Sequence, residues 1–131
     1  MIVVDTSVWI DYLGGFETPQ TRWLEGALEA ERFGLTDLIL CELLQGIRDE
    51  SQFTEVYRAL LEFEIFSMGG VELAVQSARN FRTLRARGYT VRKTSDCLIA
   101  TFCLVNGHQL LHNDSDFAPF EHVLGMHVIH P

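Results

Sequence analysis

Cysteine is scarce in this chain, and no hydrophobic run is long enough to cross a bilayer. Only three cysteines occur among 131 residues, Cys41, Cys97 and Cys103, and no two of them form a CxxC pair. This argues against a disulfide framework or a zinc site, and their apolar helical surroundings predict three buried free thiols. No basic segment precedes the first apolar residues, so we predict no signal peptide, no membrane segment and a cytoplasmic location.

Several motifs of nucleotide-binding and metal enzymes are also missing. The chain contains no P-loop, no GxGxxG and no HExxH, although five histidines crowd its C-terminal quarter. A zinc protease and a nucleotide-binding α/β enzyme are therefore disfavoured. The only lysine, Lys93, precedes a predicted helix instead of lying near the last strand. This placement argues against a receiver-type phosphotransfer domain, which would need a lysine near its last strand.

Short β-rich runs alternate with helical segments along the chain. The length of 131 residues and the apolar content of 47% fit one domain, residues 1–131. Predicted strands are 2–4, a very short one after the turn at Phe33-Gly34, 64–67, 109–111 and 126–129. Predicted helices are 8–13 (capped by Thr6 or Ser7), 19–32, one running from a Thr36 or Asp37 cap to 47, 51–62, 71–86, and 96–105 (capped by Thr94 or Ser95). The alternation predicts an α/β fold, a short-stranded parallel sheet covered by helices on both faces.

Acidic residues lie at the boundaries of these elements. Asp5 directly follows the first strand, and Asp114 follows a later one, with Asp116 two residues further on. Asp96 lies in the first turn of a helix, and Glu42 lies near the middle of another. Because ligands bind at the carboxyl ends of parallel strands, we expect these side chains at one edge of the sheet. Buried carboxylates need positive compensation, and Mg²⁺ or Mn²⁺ with oxygen ligands compensates several at once.

Basic residues are concentrated in one stretch of an otherwise acidic chain. The net charge of −8 argues against nucleic-acid binding by the whole surface. Six of the ten basic residues nevertheless lie in a window that contains no acid: Arg79, Arg82, Arg85, Arg87, Arg92 and Lys93. The first three recur at every third residue and can share one side of a helix. Such a stripe indicates a polyanion bound at one place, with an ordinary solvated helix face as the alternative.

Four short segments carry a family resemblance. They are Val4-Asp5-Thr6-Ser7-Val8-Trp9-Ile10-Asp11, Glu42-Leu43-Leu44-Gln45-Gly46-Ile47, Asp96-Cys97-Leu98-Ile99-Ala100 and Asp114-Ser115-Asp116-Phe117. Their sequences, order and spacing resemble those of PIN-domain proteins and, more narrowly, of the VapC toxins of bacterial and archaeal toxin–antitoxin pairs. The resemblance covers nearly the whole chain. Each motif alone is weakly specific, whereas four in register are strongly so.

The resemblance implies a PIN-like α/β/α sandwich and a Mg²⁺- or Mn²⁺-dependent endoribonuclease that leaves 5′-phosphate and 3′-hydroxyl ends. It implies a homodimer and inhibition by a VapB-like antitoxin. Carried over to this chain, the catalytic residues are Asp5, Glu42, Asp96, Asp114 and Asp116, of which Asp5, Asp96 and Asp114 bind metal. The basic residues expected to contact RNA are Arg79, Arg82, Arg85, Arg92 and Lys93. One position departs from the family, because His112 stands where the family often has a threonine.

Two alternatives stay open at this level. One is a PIN fold that only binds RNA or protein, which the complete set of carboxylates argues against. The other is a DNA-directed nuclease of the same fold, although the chain length and the VapC-like motifs favour RNA. Trp9, Tyr12, Leu13 and Trp23 exceed what one small core needs, so some of them can form a dimer face or an antitoxin groove. Burial in the core is the alternative for each.

Overall fold

Five parallel strands form one sheet in the order β3-β2-β1-β4-β5 in the computed structural model, which describes all residues from Met1 to Pro131. The strands are β1 Ile2–Val4, β2 Phe33–Thr36, β3 Glu64–Phe66, β4 Gln109–Leu111 and β5 His127–Val128. The helices are α1 Thr6–Leu13, α2 Pro19–Ala27, α3 Asp37–Gln45, α4 Glu50–Leu60, α5 Gly70–Ala86, α6 Thr94–Asn106 and α7 Ala118–Leu124. The predicted α/β fold with a parallel sheet is confirmed. None of the helices is long and apolar enough to span a membrane.

Strand β1 lies at the centre of the sheet and is fully buried. It pairs with β2 on one side and with β4 on the other, where Val4 faces Leu111. Helix α1 packs on α2 and α3, whereas α5 packs on α6 and α7. Because the chain extends the sheet from β1 first to one side and later to the other, the connections diverge at the β1–β4 pair. The carboxyl ends of these two strands therefore open a crevice, the usual ligand site of such sheets.

Two helix caps differ from the prediction. Helix α1 is capped by Asp5, whose side chain accepts from the Ser7 amide, and not by Thr6 or Ser7. Lys93 occupies the N-cap position of α6 without a side-chain hydrogen bond, so Thr94 and Ser95 lie inside the helix. Asp5 prevails as a cap because its backbone is still extended at the end of β1, and an extended residue can turn its carboxylate onto the next amides.

Other differences concern the ends of elements and one thiol. Helix α2 ends at Ala27 instead of 32, and the residues after it turn towards β2. A short 3₁₀ helix, Ser115–Phe117, and α7 were not predicted, although Pro119 and Gly125 are ordinary signals for the two ends of a helix. Cys41 is exposed on α3, so the prediction of three buried thiols is wrong for it and correct for Cys97 and Cys103.

Strand β2 approaches β3 closely enough to require a glycine. A Cβ at Gly34 would lie 2.6 Å from a ring carbon of Phe66 and 2.9 Å from the Glu64 carbonyl oxygen. We expect Gly34→Ala to lower the free energy of unfolding by about 1 to 3 kcal/mol, measured by urea denaturation. Gly26→Ala is the control, because its Cβ meets nothing within 4 Å and alanine favours helix. A Gly34→Ala variant as stable as wild type would contradict this close approach of β2 to β3.

Candidate metal centre

Three carboxylates converge at the crevice between β1 and β4. Carboxylate oxygens of Asp96, Asp114 and Asp116 lie within 4.8 Å of one another. Asp96 projects from the first turn of α6, Asp114 follows β4, and Asp116 lies in the 3₁₀ helix. The local reason for this meeting is topological, because α6 precedes β4 in the chain and begins at the same edge of the sheet where β4 ends. We call these three residues the acid cluster.

Asp96 is the member of the acid cluster with the least compensated charge. Its side chain is only 6% exposed, and its Oδ2 is buried without any hydrogen-bond partner. The pKa of Asp96 is raised to about 6, chiefly by burial and also by the charges of Asp5, Asp114 and Asp116, whereas the charge of Lys93 opposes the rise. A buried carboxylate with a free oxygen fits a hard divalent cation, which binds such oxygens and offsets their mutual repulsion.

Asp5 lies beside the acid cluster but directs one oxygen elsewhere. Its Oδ2 accepts from the Ser7 amide at 3.0 Å and from the Ser7 hydroxyl at 2.7 Å. Burial raises the pKa of Asp5, although the bonds from Ser7 oppose this shift. The acid cluster thus differs from the predicted metal ligands, since Asp116 belongs to it and Asp5 stands next to it. Its Oδ2 is engaged in capping α1.

Ser7 links the two strand ends that frame the crevice. Besides donating to Asp5, its hydroxyl oxygen accepts from the Asn113 amide at 3.0 Å. The Asp5 amide itself donates to the Leu111 carbonyl at 2.9 Å. These bonds fix the residues after β1 against those after β4. From the sequence, Ser7 is predicted as a helix cap and Asn113 as a source of a polar contact near the last motif. Their contact with each other was not predicted, because a contact over 106 residues leaves no local signal.

Glu42 approaches the crevice from the opposite side, on α3. Its Oε1 accepts from the Thr6 hydroxyl at 3.0 Å. Burial is the main cause that raises the pKa of Glu42, with a smaller contribution from the charge of Asp5 and an opposing one from Lys93. Glu42 is therefore coupled electrostatically to Asp5, and Thr6 holds its carboxylate in place.

The turn after β4 is organised by a histidine. His112 Nδ1 accepts from the Asp114 amide at 3.1 Å, and Asp114 Oδ1 accepts from the Asp116 amide at 3.0 Å. The His112 ring packs on Phe117, with ring centroids 4.9 Å apart. Burial lowers the pKa of His112, which is consistent with a neutral ring whose Nδ1 is an acceptor. The position was notable in sequence as a departure from the family, but this contact was not predicted.

The predicted RNA-binding residues do not all lie at the acid cluster. Lys93 does, since its charge lowers the pKa of both Asp96 and Glu42. Arg79, Arg82 and Arg85 instead border a separate exposed concavity on α5 that contains none of the carboxylates. None of these arginines forms an ion pair, because the chain's two salt bridges involve other residues. Arg92 is exposed in the loop before α6.

An apolar groove lies between α1, α3 and α4 and shares Glu42 with the crevice. Its lining includes Ile10, Leu13, Leu43, Ile47 and Val56, with Glu42 at the same surface. Of the aromatic residues singled out in sequence, Trp9 is buried, and Tyr12 and Trp23 are half-buried and pack against the core. Core burial therefore accounts for these three, whereas Leu13 remains 42% exposed.

Comparisons with known proteins agree with this architecture. A PIN domain family model matches residues 2–122. A VapC ribonuclease of Mycobacterium bovis and the ribonuclease VapC11 of Mycobacterium tuberculosis are each 31% identical over 120 residues, which is 89% of this chain and 89% of theirs.

Solved structures share the fold at lower identity. FitAcB from Neisseria gonorrhoeae superposes with a TM-score of 0.78 at 18% identity, covering all of this chain and 98% of that one. VapBC2 from Rickettsia felis, bound to a DNA fragment from their promoter, gives 0.76 at 18% identity and 98% coverage of both. With a family model over residues 2–122 and relatives at 31% identity, the chain belongs to the PIN-domain family and, within it, to the VapC ribonucleases.

Proposed function

We propose that the protein is a divalent-metal-dependent endoribonuclease that acts in the cytoplasm as the toxin of a type II toxin–antitoxin pair. The observation that carries the proposal is the acid cluster with the buried, unpartnered Oδ2 of Asp96. Such a carboxylate set is costly without a cation and is suited to Mg²⁺ or Mn²⁺. The VapC ribonuclease relatives support RNA as the substrate.

Each side chain at the crevice has a separate proposed role. Asp96, Asp114 and Asp116 would hold the ion, with Asp5 and Glu42 flanking it. A divalent ion bound there supplies Lewis-acid stabilisation of charge at the scissile phosphate and lowers the pKa of an attacking water. Lys93 attracts the phosphate to the rim, where its charge already acts on Asp96 and Glu42. Ser7 keeps the Asp5 carboxylate oriented, because it binds Asp5 and the turn after β4 together.

Cleavage of purified total RNA tests the proposal directly. We expect discrete fragments with Mg²⁺ or Mn²⁺, none with EDTA, and none from a folded Asp5→Asn variant in either metal. End-mapping of the fragments should give 5′-phosphate and 3′-hydroxyl termini. Cleavage of single-stranded DNA at an equal rate would favour the DNA-directed alternative. A folded, antitoxin-free protein that cuts nothing with either ion would favour a PIN fold that only binds.

The basic concavity of α5 is proposed as a second contact for RNA. Arg79, Arg82 and Arg85 are exposed and unpaired on a protein of net charge −8, so their charges are free for backbone phosphates. The ring of Phe81 lies 5.5 Å from the guanidinium carbon of Arg85 and restrains that side chain. The concavity contains no carboxylate and is therefore separate from the acid cluster. An RNA that contacts both must extend beyond the segment being cut.

Removing two of these arginines should affect long RNA selectively. For the double variant Arg82→Ala/Arg85→Ala we expect a higher KM on long RNA, with the salt dependence of log K reduced by about 0.7 per lost phosphate contact. Turnover of a short oligonucleotide should stay unchanged. The control is Arg22→Ala/Arg58→Ala, which removes the same charge from α2 and α4, where both residues are exposed. Equal effects of the two double variants would show that only net charge matters.

The partner proposed for the apolar groove is a VapB-like antitoxin. The groove exposes Ile10 and Leu13 to 56% and 42%, which suits the apolar face of an inhibitor segment. Leu13→Glu should abolish co-purification with the co-expressed cognate antitoxin while leaving RNA cleavage intact. The protein is further proposed to be a homodimer, which light scattering of the free toxin tests.

A further inference from the structure

His112 is anchored at only one of its two ring nitrogens. Nδ1 accepts from the Asp114 amide at 3.1 Å, and the ring packs on the fully buried Phe117. Nε2 is shielded from water and has no partner. When Nδ1 is an acceptor, the neutral ring carries its proton on Nε2, so a buried N–H is left unpaired. An unpaired buried donor costs free energy, and a phenyl ring in the same space would avoid that cost.

The turn after β4 binds its backbone amides with side chains. The Asn113 amide donates to Ser7, the Asp114 amide to His112, and the Asp116 amide to Asp114 Oδ1. The Asp114 main chain is thus held by His112, and its Oδ1 is held by Asp116. The orientation of Asp114 Oδ2, which receives no hydrogen bond from the protein, depends on these two restraints. The three side-chain acceptors are those of Ser7, His112 and Asp114. Among them, only His112 also has a buried polar atom without a partner, Nε2.

We infer that His112 is a positioning residue, which fixes the main chain of Asp114 through Nδ1 so that the carboxylates of Asp114 and Asp116 converge with Asp96 on a divalent cation. The inference rests on the proposed function and extends it to a residue outside the acid cluster. His112 touches neither the ion nor the RNA in this role. The alternative is that the ring only fills space against Phe117.

Two substitutions separate the acceptor from the ring. His112→Phe keeps a flat ring on Phe117 and removes the acceptor. His112→Asn removes the ring and keeps an oxygen that can accept from the amide two residues on, as in an Asx-turn. Affinity for Mn²⁺ and Mg²⁺ is measured on the full-length, antitoxin-free proteins by isothermal titration calorimetry. Hydrogen exchange of the Asp114 amide, measured by NMR without metal, reports the bond itself.

We expect opposite effects on stability and on metal binding in His112→Phe. The variant should unfold at the wild-type temperature or above it, exchange the Asp114 amide faster, and bind both ions about tenfold more weakly. His112→Asn should retain Asp114 amide protection and most of the affinity, even with a lower unfolding temperature. Where the Asn variant does not fold, His112→Thr supplies a hydroxyl acceptor instead. It should likewise retain Asp114 amide protection and most of the metal affinity.

The inference and the proposed function fail in different ways. Wild-type metal affinity in His112→Phe overturns the inference alone, as does an equal loss of affinity in the Phe variant and in the folded acceptor variant. Unprotected Asp114 amide in the wild type also overturns the inference. A wild-type protein that binds neither ion, yet protects the Asp114 amide, overturns the proposed metal centre and the positioning role with it.

Discussion

Asp96→Asn is expected to abolish RNA cleavage while making the metal-free protein more stable. The substitution removes the buried, unpartnered charge of the acid cluster, so the ion loses the ligand oxygen that has no partner in the protein and the fold loses an unfavourable group. We expect turnover to fall on the order of 10³-fold, which corresponds to about 4 kcal/mol of transition-state stabilisation. Cleavage of total RNA in Mn²⁺ and thermal unfolding in EDTA measure the two effects.

The gain in stability should be moderate. A pKa of about 6 in the fold, against 3.8 in the free side chain, corresponds to about 1 to 2 kcal/mol at neutral pH, because Lys93 and nearby water screen part of the penalty. Asp37→Asn is the matched control, since Asp37 is an exposed first-turn acid on α3 outside the acid cluster. Wild-type turnover in a folded Asp96→Asn protein would remove Asp96 from the proposed mechanism.

Metal binding should reverse the pH dependence of stability. Without metal, the fold keeps a proton on Asp96 that the unfolded chain has already released, so stability is highest below about pH 4 and falls as the pH rises through about 6. The raised pKa values of Asp5 and Glu42 act in the same direction. An ion needs ionised carboxylates and therefore binds more tightly as the pH rises. At 1,000 times its dissociation constant it adds about 4 kcal/mol of stability.

The difference in unfolding temperature between Mn²⁺ and EDTA therefore grows from pH 5 to pH 7.5. Differential scanning fluorimetry at several pH values measures it, with Asp96→Asn as the variant expected to show little difference at any pH. Because no RNA is present, the measurement reports ion binding and not catalysis, with Ca²⁺ at the same concentration as well as with Mn²⁺. A difference that is constant with pH, or that shrinks as the pH rises, contradicts a centre built from these carboxylates.

Local sequence determined the parts of the fold that depend on neighbouring residues. The apolar run before Asp5 and the runs around residues 35 and 110 identified strands, and the alternation with helices gave their parallel arrangement. The edge of the sheet at which Asp5 and Asp114 meet then followed from topology. Thr36, one of the two predicted caps, caps α3, with its hydroxyl accepting from the Ile39 amide at 3.2 Å.

What sequence could not give depends on contacts between distant residues or on which side of a helix faces solvent. Cys41 lies in an apolar segment but faces outward, because α3 buries Ile39 and Leu43 instead. Nothing local distinguishes Lys93, whose charge reaches the carboxylates, from the arginines of α5 in the same window. The unpartnered oxygen of Asp96 is likewise a property of the surroundings, since the same residue in an open first turn would be solvated.

The bonds that join Ser7 to Asp5 and Asn113 also set the order in which a ribosome can deliver a working protein. Strand β1 emerges first, yet its partner β4 comes much later in the chain, and Asn113 lies 106 residues behind Ser7. Closing a loop of that length carries a large entropic cost and depends on the intervening helices being made. A chain interrupted before Gln109 has no β4 and no complete acid cluster. Unfinished copies therefore lack the candidate metal centre, which is present only in the finished protein.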